Sequence, residues 1–362
     1  MAAPPPLARR LAFTLLAVAL GLTLIELGFR AITQVGSPDL ASRIDRYRHE
    51  WAPDRRELTL DYRPHPYLVY VYDHRVNSDV NALGFYFDDL ALEKPPGTLR
   101  VATFGGSTTA GPQAWPRHLQ RALREALGQP VEVLNFGVSG WTSAEGLIAY
   151  THLAQSYDLD AIVLHHVNND LRPLEMADFR PDYAHFRRPA ALIEDGDRVR
   201  VSWTGADAID DRLTRLSDLY VYARLWTVGP PVGRFSLQNL SHREGRPGGP
   251  DAVSRNSGIW ARNLVTMGRL AQADGAVVAV MTMPHIVQPG VGPPGWGDRL
   301  DGLNSRLRQL AAQHDYALVD AATDPAFASD VFEDPIHVTE AGERRKAALA
   351  AAGLLEAGLG SD

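Results

Sequence analysis

Serine, aspartate and histidine follow apolar segments at separate places in this sequence, and together they suit nucleophilic catalysis. Ser107 comes directly after "LRVATFGG", and Asp334 and His337 lie close together in "FEDPIHVTEAG". A serine hydroxyl is a poor nucleophile unless a base takes its proton as it attacks, and histidine is suited to that task. Gly-Gly-Ser is also an ordinary turn sequence, so Ser107 considered alone is either a nucleophile or a turn residue.

The segments around these residues predict an α/β fold. Short apolar runs typical of strands alternate with helical patterns, in which apolar residues recur every three or four positions. Because such alternation is typical of a parallel sheet covered on both faces, we expect a three-layer α/β/α sandwich with a five-stranded parallel sheet. Ligands bind at the carboxyl ends of the strands in such sheets, and Ser107 would lie there. The predicted strands are 99–104, 130–136, 160–167, 276–283 and 317–320, and the predicted helices include 115–127, 258–273 and 339–357.

The composition excludes several classes of site. The 362 residues are 45% hydrophobic and carry a net charge of −7 without long runs of either sign, whereas a nucleic-acid-binding surface is basic. The chain has no cysteine, which excludes disulfides, thiolate metal sites and a cysteine nucleophile. It also lacks the phosphate-loop and dinucleotide fingerprints. We therefore expect no nucleic acid partner, no metal and no cofactor.

The N-terminus carries a candidate membrane anchor. Arg9 and Arg10 precede "LAFTLLAVALGLTLIELGF", in which Glu26 is the only charged residue. About 20 apolar residues span a bilayer, and the positive-inside rule places the two arginines in the cytoplasm. We favour a single-pass anchor over residues 1–33, with everything after it outside the cytoplasm. A cleaved signal peptide, and so a secreted protein, is the alternative.

The rest of the chain divides into two predicted regions. Residues 34–96 are predicted to form a linker and a hairpin-like prelude, with strand character at 66–77. Residues 97–362 would form the α/β domain.

An insertion at about 174–257 interrupts the α/β pattern. Because it follows the third strand, at the same edge as Ser107, we expect it to act as a lid or a substrate-binding cap. It contains a strand-like segment at 197–203, a helical segment at 210–226 and loose sequence at 241–250.

Four blocks of the sequence resemble, in order, the SGNH/GDSL serine hydrolase family in its membrane-anchored bacterial envelope form. They are "FGGSTTAG" with Ser107, "NFGVSGWTS" with Gly140, "HHVNNDL" with Asn169 and "FEDPIHVTEAG" with His337. The resemblance covers about residues 97–357. It implies the flavodoxin-like fold of that family and an esterase or lipase activity.

The resemblance also implies a role for each matching residue. Ser107 would be the nucleophile, His337 its general base, and Asp334 the carboxylate that orients the imidazole and stabilises the imidazolium. The backbone N–H groups of Ser107 and Gly140 and the side-chain amide of Asn169 would form the oxyanion hole. Loss of one such donor typically costs about 10²–10³ in rate.

Two positions depart from the family's usual pattern. Gly106 replaces the aspartate of Gly-Asp-Ser, and Val167 replaces the glycine of Gly-x-Asn-Asp. Both changes alter backbone freedom beside the site, although neither removes a catalytic side chain. Asn168 and Asn169 are adjacent. The family's register selects Asn169, and we expect strand alternation to turn Asn168 to the opposite face.

Other residues are weaker candidates. His285 follows the fourth strand and would either touch the substrate or be an ordinary loop residue. Trp141 and Tyr86 would line a sugar or acyl site or simply pack in the core. His165 and His166 suggest a metal, but adjacent strand residues point in opposite directions, and no carboxylate cluster accompanies them.

These observations predict a serine esterase that acts through an acyl-serine intermediate on short acyl groups, above all acetyl, of envelope or exported glycans. The alternatives are O-acyl transfer to a polysaccharide, a lipase-like esterase, and a non-catalytic glycan-binding or assembly subunit. The expected partners are a small-molecule or glycan ester and the membrane around the N-terminal helix. Aromatic side chains of the insertion suit sugar faces, namely Tyr183, Phe186, Trp203, Tyr220, Tyr222 and Trp226.

Overall fold

The computed structural model describes residues 7–51, 62–187, 192–195, 198–201, 205–227, 242, 245–249, 251–287 and 294–361. The α-helices of these ranges are α1 (Leu7–Gly36), α2 (Pro38–Trp51), α3 (Trp115–Leu127), α4 (Ser143–His152), α5 (Asn168–Leu174), α6 (Gly205–Leu216), α7 (Asp218–Thr227), α8 (Ala252–Ala273), α9 (Trp296–His314) and α10 (Glu340–Glu356). The strands are β1 (Tyr62–His65), β2 (Val69–Tyr72), β3 (Leu99–Gly105), β4 (Val131–Asn135), β5 (Ala161–His165), β6 (Leu192–Asp195), β7 (Arg198–Val201), β8 (Val277–Met281) and β9 (Ala317–Val319).

Five strands form one parallel sheet in the order β4-β3-β5-β8-β9. Thr103 of β3, for example, lies opposite Asn135 on one side and Val163 on the other. The strand order reverses at β3, because the chain first moves outward to β4 and then returns to β5. Loops that follow strands at such a switch point diverge and leave a crevice.

Helices cover both faces of this sheet. α3 and α10 pack on one face, where Trp115, Leu119 and Leu123 of α3 meet Ala347 and Leu354 of α10. α4, α8 and α9 pack on the other. The fourth-position spacing of the α3 residues gives that helix a single buried stripe. The predicted three-layer α/β/α fold with a five-stranded parallel sheet is therefore confirmed.

Some helix bounds differ from the predictions. α8 begins at Ala252 rather than at residue 258, and the helix predicted over 210–226 is two helices that meet at Ser217. α9 was not predicted, because the Gly- and Pro-rich sequence before it is typical of a loop. Its Leu300, Leu303 and Leu307 nevertheless have helical spacing and are buried.

The chain divides into two compact units. The N-terminal unit comprises residues 1–60 and 192–239, and the sheet unit comprises residues 61–191 and 240–362. This division cuts across the predicted boundaries, since part of the prelude and part of the insertion belong together in the N-terminal unit.

Within the N-terminal unit, α1, α2 and α7 share a small core. Ile44, Tyr47 and Val221 are buried there, and Phe29 and Tyr222 pack against them. β6 and β7 pair as an antiparallel hairpin. α1 contains a stretch, Phe13–Gly36, that is long and apolar enough to cross a membrane or to serve as a signal sequence.

The described aromatic side chains of the insertion belong to two different units. Tyr183 and Phe186 are buried in the sheet unit, so the expectation that they contact sugars is wrong. Tyr222 and Trp226, like Tyr220, belong to α7 in the N-terminal unit. Trp203 lies outside the described residues. The lid role of the insertion stays a prediction.

Candidate active site

Ser107 lies in a tight turn at the carboxyl end of β3. The turn is closed by the N–H groups of Thr109 and Ala110, which both donate to the carbonyl of Gly106 (3.0 and 3.1 Å). The N–H of Ser107 has no partner among the described residues. The turn therefore presents a hydroxyl and a free backbone donor side by side.

The two glycines before Ser107 are required by close packing. A Cβ on Gly105 would lie 2.1 Å from Oγ1 of Thr109, and a Cβ on Gly106 would lie 2.2 Å from Nδ2 of Asn169. Neither glycine has a positive φ, so space rather than backbone conformation excludes other residues. Gly106 thus lets the amide of Asn169 approach the turn of Ser107.

His337 and Asp334 lie in a short loop ahead of α10, closed by a bridge between Phe332 and Val338. His337 Nε2 is 2.8 Å from Ser107 Oγ, and His337 Nδ1 is 2.6 Å from Asp334 Oδ2. The three side chains therefore form one continuous hydrogen-bonded chain.

The second carboxylate oxygen of Asp334 is held by the loop itself. It accepts hydrogen bonds from the N–H groups of Ile336 (2.9 Å) and His337 (2.8 Å). Burial raises the pKa of Asp334, but these backbone bonds and the imidazole of His337 outweigh burial and hold the pKa below its usual value. An ionised Asp334 fixes the proton of His337 on Nδ1 and leaves Nε2 to accept the proton of Ser107.

The loop after β4 carries Gly140 and is held by the β1–β2 hairpin. Tyr70 Oη donates to the carbonyl of Ser139 (2.9 Å), Tyr72 Oη lies 2.8 Å from Ser139 Oγ, and the indole N–H of Trp141 donates to the carbonyl of Tyr70 (3.1 Å). Gly140 has a φ of 77°, a left-handed conformation that favours glycine. Its N–H has no partner among the residues that the structure describes.

Asn169 lies in the first turn of α5, directly after β5. Its Nδ2 donates to the carbonyl of Trp141 (2.9 Å), which leaves one amide hydrogen free. Among the residues that the structure describes, the N–H groups of Ser107 and Gly140 and the second amide hydrogen of Asn169 are therefore three donors without a hydrogen-bond partner.

The neighbour of Asn169 in the chain, Asp170, anchors the start of α5. Ser143 Oγ (2.6 Å) and Tyr183 Oη (2.9 Å) donate to its carboxylate, and so does the N–H of Ser143. Burial raises the pKa of Asp170 to about 7, although these hydrogen bonds act in the opposite direction.

The expectation that Asn168 faces away from the site is wrong. β5 ends at His165, and both asparagines begin α5, so strand alternation does not apply to them. Both line a recess beside Ser107. The Oδ1 atom of Asn168 accepts a hydrogen bond from the indole N–H of Trp296 (3.0 Å).

The recess beside Ser107 is small. Its cavity volume is about 10 Å³, which is room for about one water molecule. Val167, Met283 and Ile336 contribute apolar side chains to its lining, and Asn169 contributes its amide.

The sequence profile of the GDSL-like Lipase/Acylhydrolase family matches residues 103–345, about two-thirds of the chain and all of the loops described above. The chain belongs to this family. The GDSL-like chain is therefore an ester-hydrolysing enzyme. It matches no curated protein sequence.

Solved structures with a similar chain trace include three bacterial enzymes. A lipase/acylhydrolase from Enterococcus faecalis is 15% identical, with a TM-score of 0.41 over 70% of this chain and 94% of its own. A catalytic mutant of an acetylxylan esterase from Geobacillus stearothermophilus is 11% identical, with a TM-score of 0.41 over 72% and 93%. A GDSL-like lipase from Bacteroides thetaiotaomicron is 14% identical, with a TM-score of 0.39 over 71% and 88%.

Among the other sequence candidates, Trp141 lines the recess of the GDSL-like site, but its side chain is fully buried. His285 packs edge-on against Trp296, whose indole N–H donates to Asn168. Tyr86 lines a different surface pocket.

His165 and His166 both line the recess and are buried. Burial lowers the pKa of His165 to about 3 and that of His166 to about 4, so both are neutral. In the described part of the chain, no group of three or more histidine, aspartate or glutamate side chains is placed to hold a metal ion.

Sequence reasoning missed Lys346, which supports the turn that carries Ser107. Lys346 is fully buried, and its Nζ contacts the carbonyl of Thr108 (3.3 Å) and Glu343 (3.1 Å). Glu343 also accepts the N–H of Trp115 at the start of α3 (2.7 Å). The sequence did contain a signal for its burial. Lys346 lies four residues before Ala350 in α10, and residues at this spacing share one face of a helix, here the apolar one.

Proposed function

We propose that this GDSL-like hydrolase removes short acyl groups, above all acetyl, from envelope or exported glycans, with its sheet unit held outside the cytoplasm by α1. The observation that carries the proposal is the hydrogen-bonded chain from Ser107 through His337 to Asp334. A binding module has no need of a hydroxyl, an imidazole and a carboxylate in this order.

In the proposed reaction, Ser107 Oγ attacks the ester carbonyl while His337 Nε2 takes its proton. The oxyanion that forms accepts hydrogen bonds from the N–H groups of Ser107 and Gly140 and from the free amide hydrogen of Asn169. His337 then gives its proton to the departing alcohol, which leaves an acyl-Ser107. Water, deprotonated by His337, attacks this ester, and the acid departs as Ser107 regains its proton.

The size of the recess supports the short acyl group. A cavity volume of about 10 Å³ suits a small acyl group such as acetyl better than an extended chain. The apolar part of its lining comes from a few side chains, including Val167, Met283 and Ile336. Each methylene that an apolar pocket rejects is worth about 1–3 kcal/mol of discrimination.

Two measurements test the proposal. A fluorophosphonate probe should label the wild-type protein and not Ser107→Ala. Along a series of p-nitrophenyl esters from acetyl to dodecanoyl, kcat/KM should be highest for acetyl or butyryl and fall steeply afterwards. A maximum at octanoyl or longer would exclude the glycan deacetylase function, and failure of the probe to react would exclude the serine mechanism.

The proposed location has its own test. A C-terminal alkaline phosphatase fusion, which is active only outside the cytoplasm, should be active, and a reporter that requires the cytoplasm should be silent at the same point. The opposite pattern would place the catalytic unit in the cytoplasm.

A further inference from the structure

Glu26, the only acidic residue in the apolar stretch of α1, is bound to the junction of α6 and α7. Its carboxylate accepts hydrogen bonds from Ser217 Oγ (2.7 Å) and the N–H of Asp218 (2.5 Å). Arg30 donates to the same carboxylate (2.9 Å) and to the carbonyl of Leu216 (2.6 Å). The junction is therefore fixed to α1 at two successive turns.

The position of this attachment along α1 sets its depth in a bilayer. At about 1.5 Å per residue from Phe13, Glu26 lies about 20 Å and Arg30 about 26 Å along the helix axis. Both values are smaller than the ~30 Å thickness of the hydrocarbon core. An unpaired glutamate at such a depth is costly, and here the start of α7 and Arg30 supply its partners. If α1 crosses the membrane, the α6–α7 junction lies beside it at hydrocarbon depth.

The exposed surface of α6 and α7 carries large apolar side chains beside the charged Arg212. In α6, Ile209, Leu213 and Leu216 have i, i+4, i+7 spacing and are 63%, 40% and 70% exposed. In α7, Leu219 and Trp226 are seven residues apart and are 39% and 82% exposed. We call these five side chains the apolar stripe.

The opposite sides of the same two helices are buried. Thr214 of α6 and Val221 of α7 are fully buried, and Val221 packs with Ile44 and Tyr47 of α2. Arg48 of α2 donates to the carbonyl of Thr214 (3.1 Å). The apolar stripe is therefore not the packing surface of the N-terminal unit. Exposed apolar stripes of this kind are typical of contact with a membrane or another protein.

We propose that α6 and α7 lie in the bilayer beside the C-terminal half of α1, with the apolar stripe in contact with lipid acyl chains. Lipid is the occupant that the structure favours, because Glu26 and Arg30 hold the junction at the depth where acyl chains would surround a membrane-spanning α1. The proposal goes beyond the esterase function and requires only that α1 crosses the membrane.

The natural absence of cysteine allows a direct test with the full-length protein. Leu216→Cys, Leu219→Cys and Trp226→Cys are each labelled with an environment-sensitive fluorophore and reconstituted in phosphatidylcholine–phosphatidylglycerol vesicles. Leu22→Cys in α1 is the lipid-exposed control, and Arg269→Cys, on the exposed side of α8, is the water-exposed control. Esterase activity of each variant reports that the sheet unit is folded.

The three stripe labels should be quenched by nitroxide-labelled lipids to the same extent as the label at Leu22, and aqueous iodide should quench only the label at Arg269. Iodide quenching of the stripe labels would overturn the proposal, because the stripe would then face water. Protection from both quenchers would also overturn it, because protein would then cover the stripe.

A second experiment removes the hydrogen bonds between Glu26 and the start of α7. In Glu26→Leu, the N–H groups at the start of α7 lose their acceptor, so the label at Leu219 should lose its quenching by nitroxide lipids while the label at Leu22 keeps it. Unchanged quenching at Leu219 would show that Glu26 does not hold α7 in the bilayer.

Discussion

Gly106→Ala should disable catalysis while the fold remains intact. The new Cβ would lie 2.2 Å from Nδ2 of Asn169, whereas real Cβ atoms essentially never approach closer than 3.0 Å. The amide must therefore withdraw by at least 3.0 − 2.2 = 0.8 Å. A displacement of about 1 Å can cost about 10² in rate, and loss of one oxyanion donor costs about 10²–10³.

We accordingly expect kcat for a short ester to fall about 10²-fold or more in Gly106→Ala, with a smaller change in KM, because the lost hydrogen bond strengthens in the transition state. Gly106→Asp, which restores the family's usual residue, should be at least as damaging, because it adds a negative charge near the oxyanion as well as the Cβ. Gly258→Ala is the matched control, since nothing lies within 4 Å of its new Cβ.

A double substitution tests the route of the effect. If Gly106→Ala acts through the amide, then Gly106→Ala combined with Asn169→Ala should be no slower than Asn169→Ala alone. Wild-type kcat in Gly106→Ala, or losses that multiply in the double variant, would refute the reasoning. Thermal unfolding of each variant separates a catalytic loss from a folding loss.

Five residues in and beside the site lead to further predictions. Ser107→Ala and His337→Ala should each abolish nearly all ester hydrolysis, and the double variant should be little worse than either, because groups that act as one unit are strongly non-additive; multiplying losses would contradict this. Asn169→Ala should lower kcat about 10²-fold or more, whereas Asn168→Ala should lower it much less, and a reversed ranking would mean that the other amide is the donor. Because the folded pKa of Asp170, about 7, exceeds the ordinary value of about 3.9, the folded state retains a proton that the unfolded state releases. The contribution of Asp170 to the free energy of unfolding should therefore fall as pH rises from about 4 to about 7, so the wild type should lose stability relative to Asp170→Asn over this range; parallel pH profiles of the two proteins in denaturant titrations would contradict it.

The sheet and the order of the site loops could be predicted because the signals are local. Apolar runs such as "LRVATF" specify buried strands, and polar residues directly after them fall at the carboxyl edge in any parallel sheet. The stripe of Trp115, Leu119 and Leu123 specified α3 in the same way.

The features that escaped prediction depend on contacts between distant parts of the chain. The close approach of Gly106 to the amide of Asn169 depends on where α5 begins. The orientation predicted for Asn168 was wrong because it assumed a strand, whereas β5 had already ended at His165. The association of α1 with the α6–α7 junction rests on hydrogen bonds between Glu26 and residues more than 190 positions away. Such pairings leave no periodic pattern in the sequence.

The order of residues along the chain also bears on when the enzyme first becomes active. His337 follows Ser107 by 230 positions, which a ribosome working at about 5–20 residues per second covers in roughly 10–50 s. Throughout that interval the growing chain carries a serine without the base that activates it. The loop of Asp334 and His337 also follows β9, at the edge of the sheet, so it leaves the ribosome after all five strands of the sheet. We therefore expect hydrolysis to begin only after His337 has emerged from the ribosome.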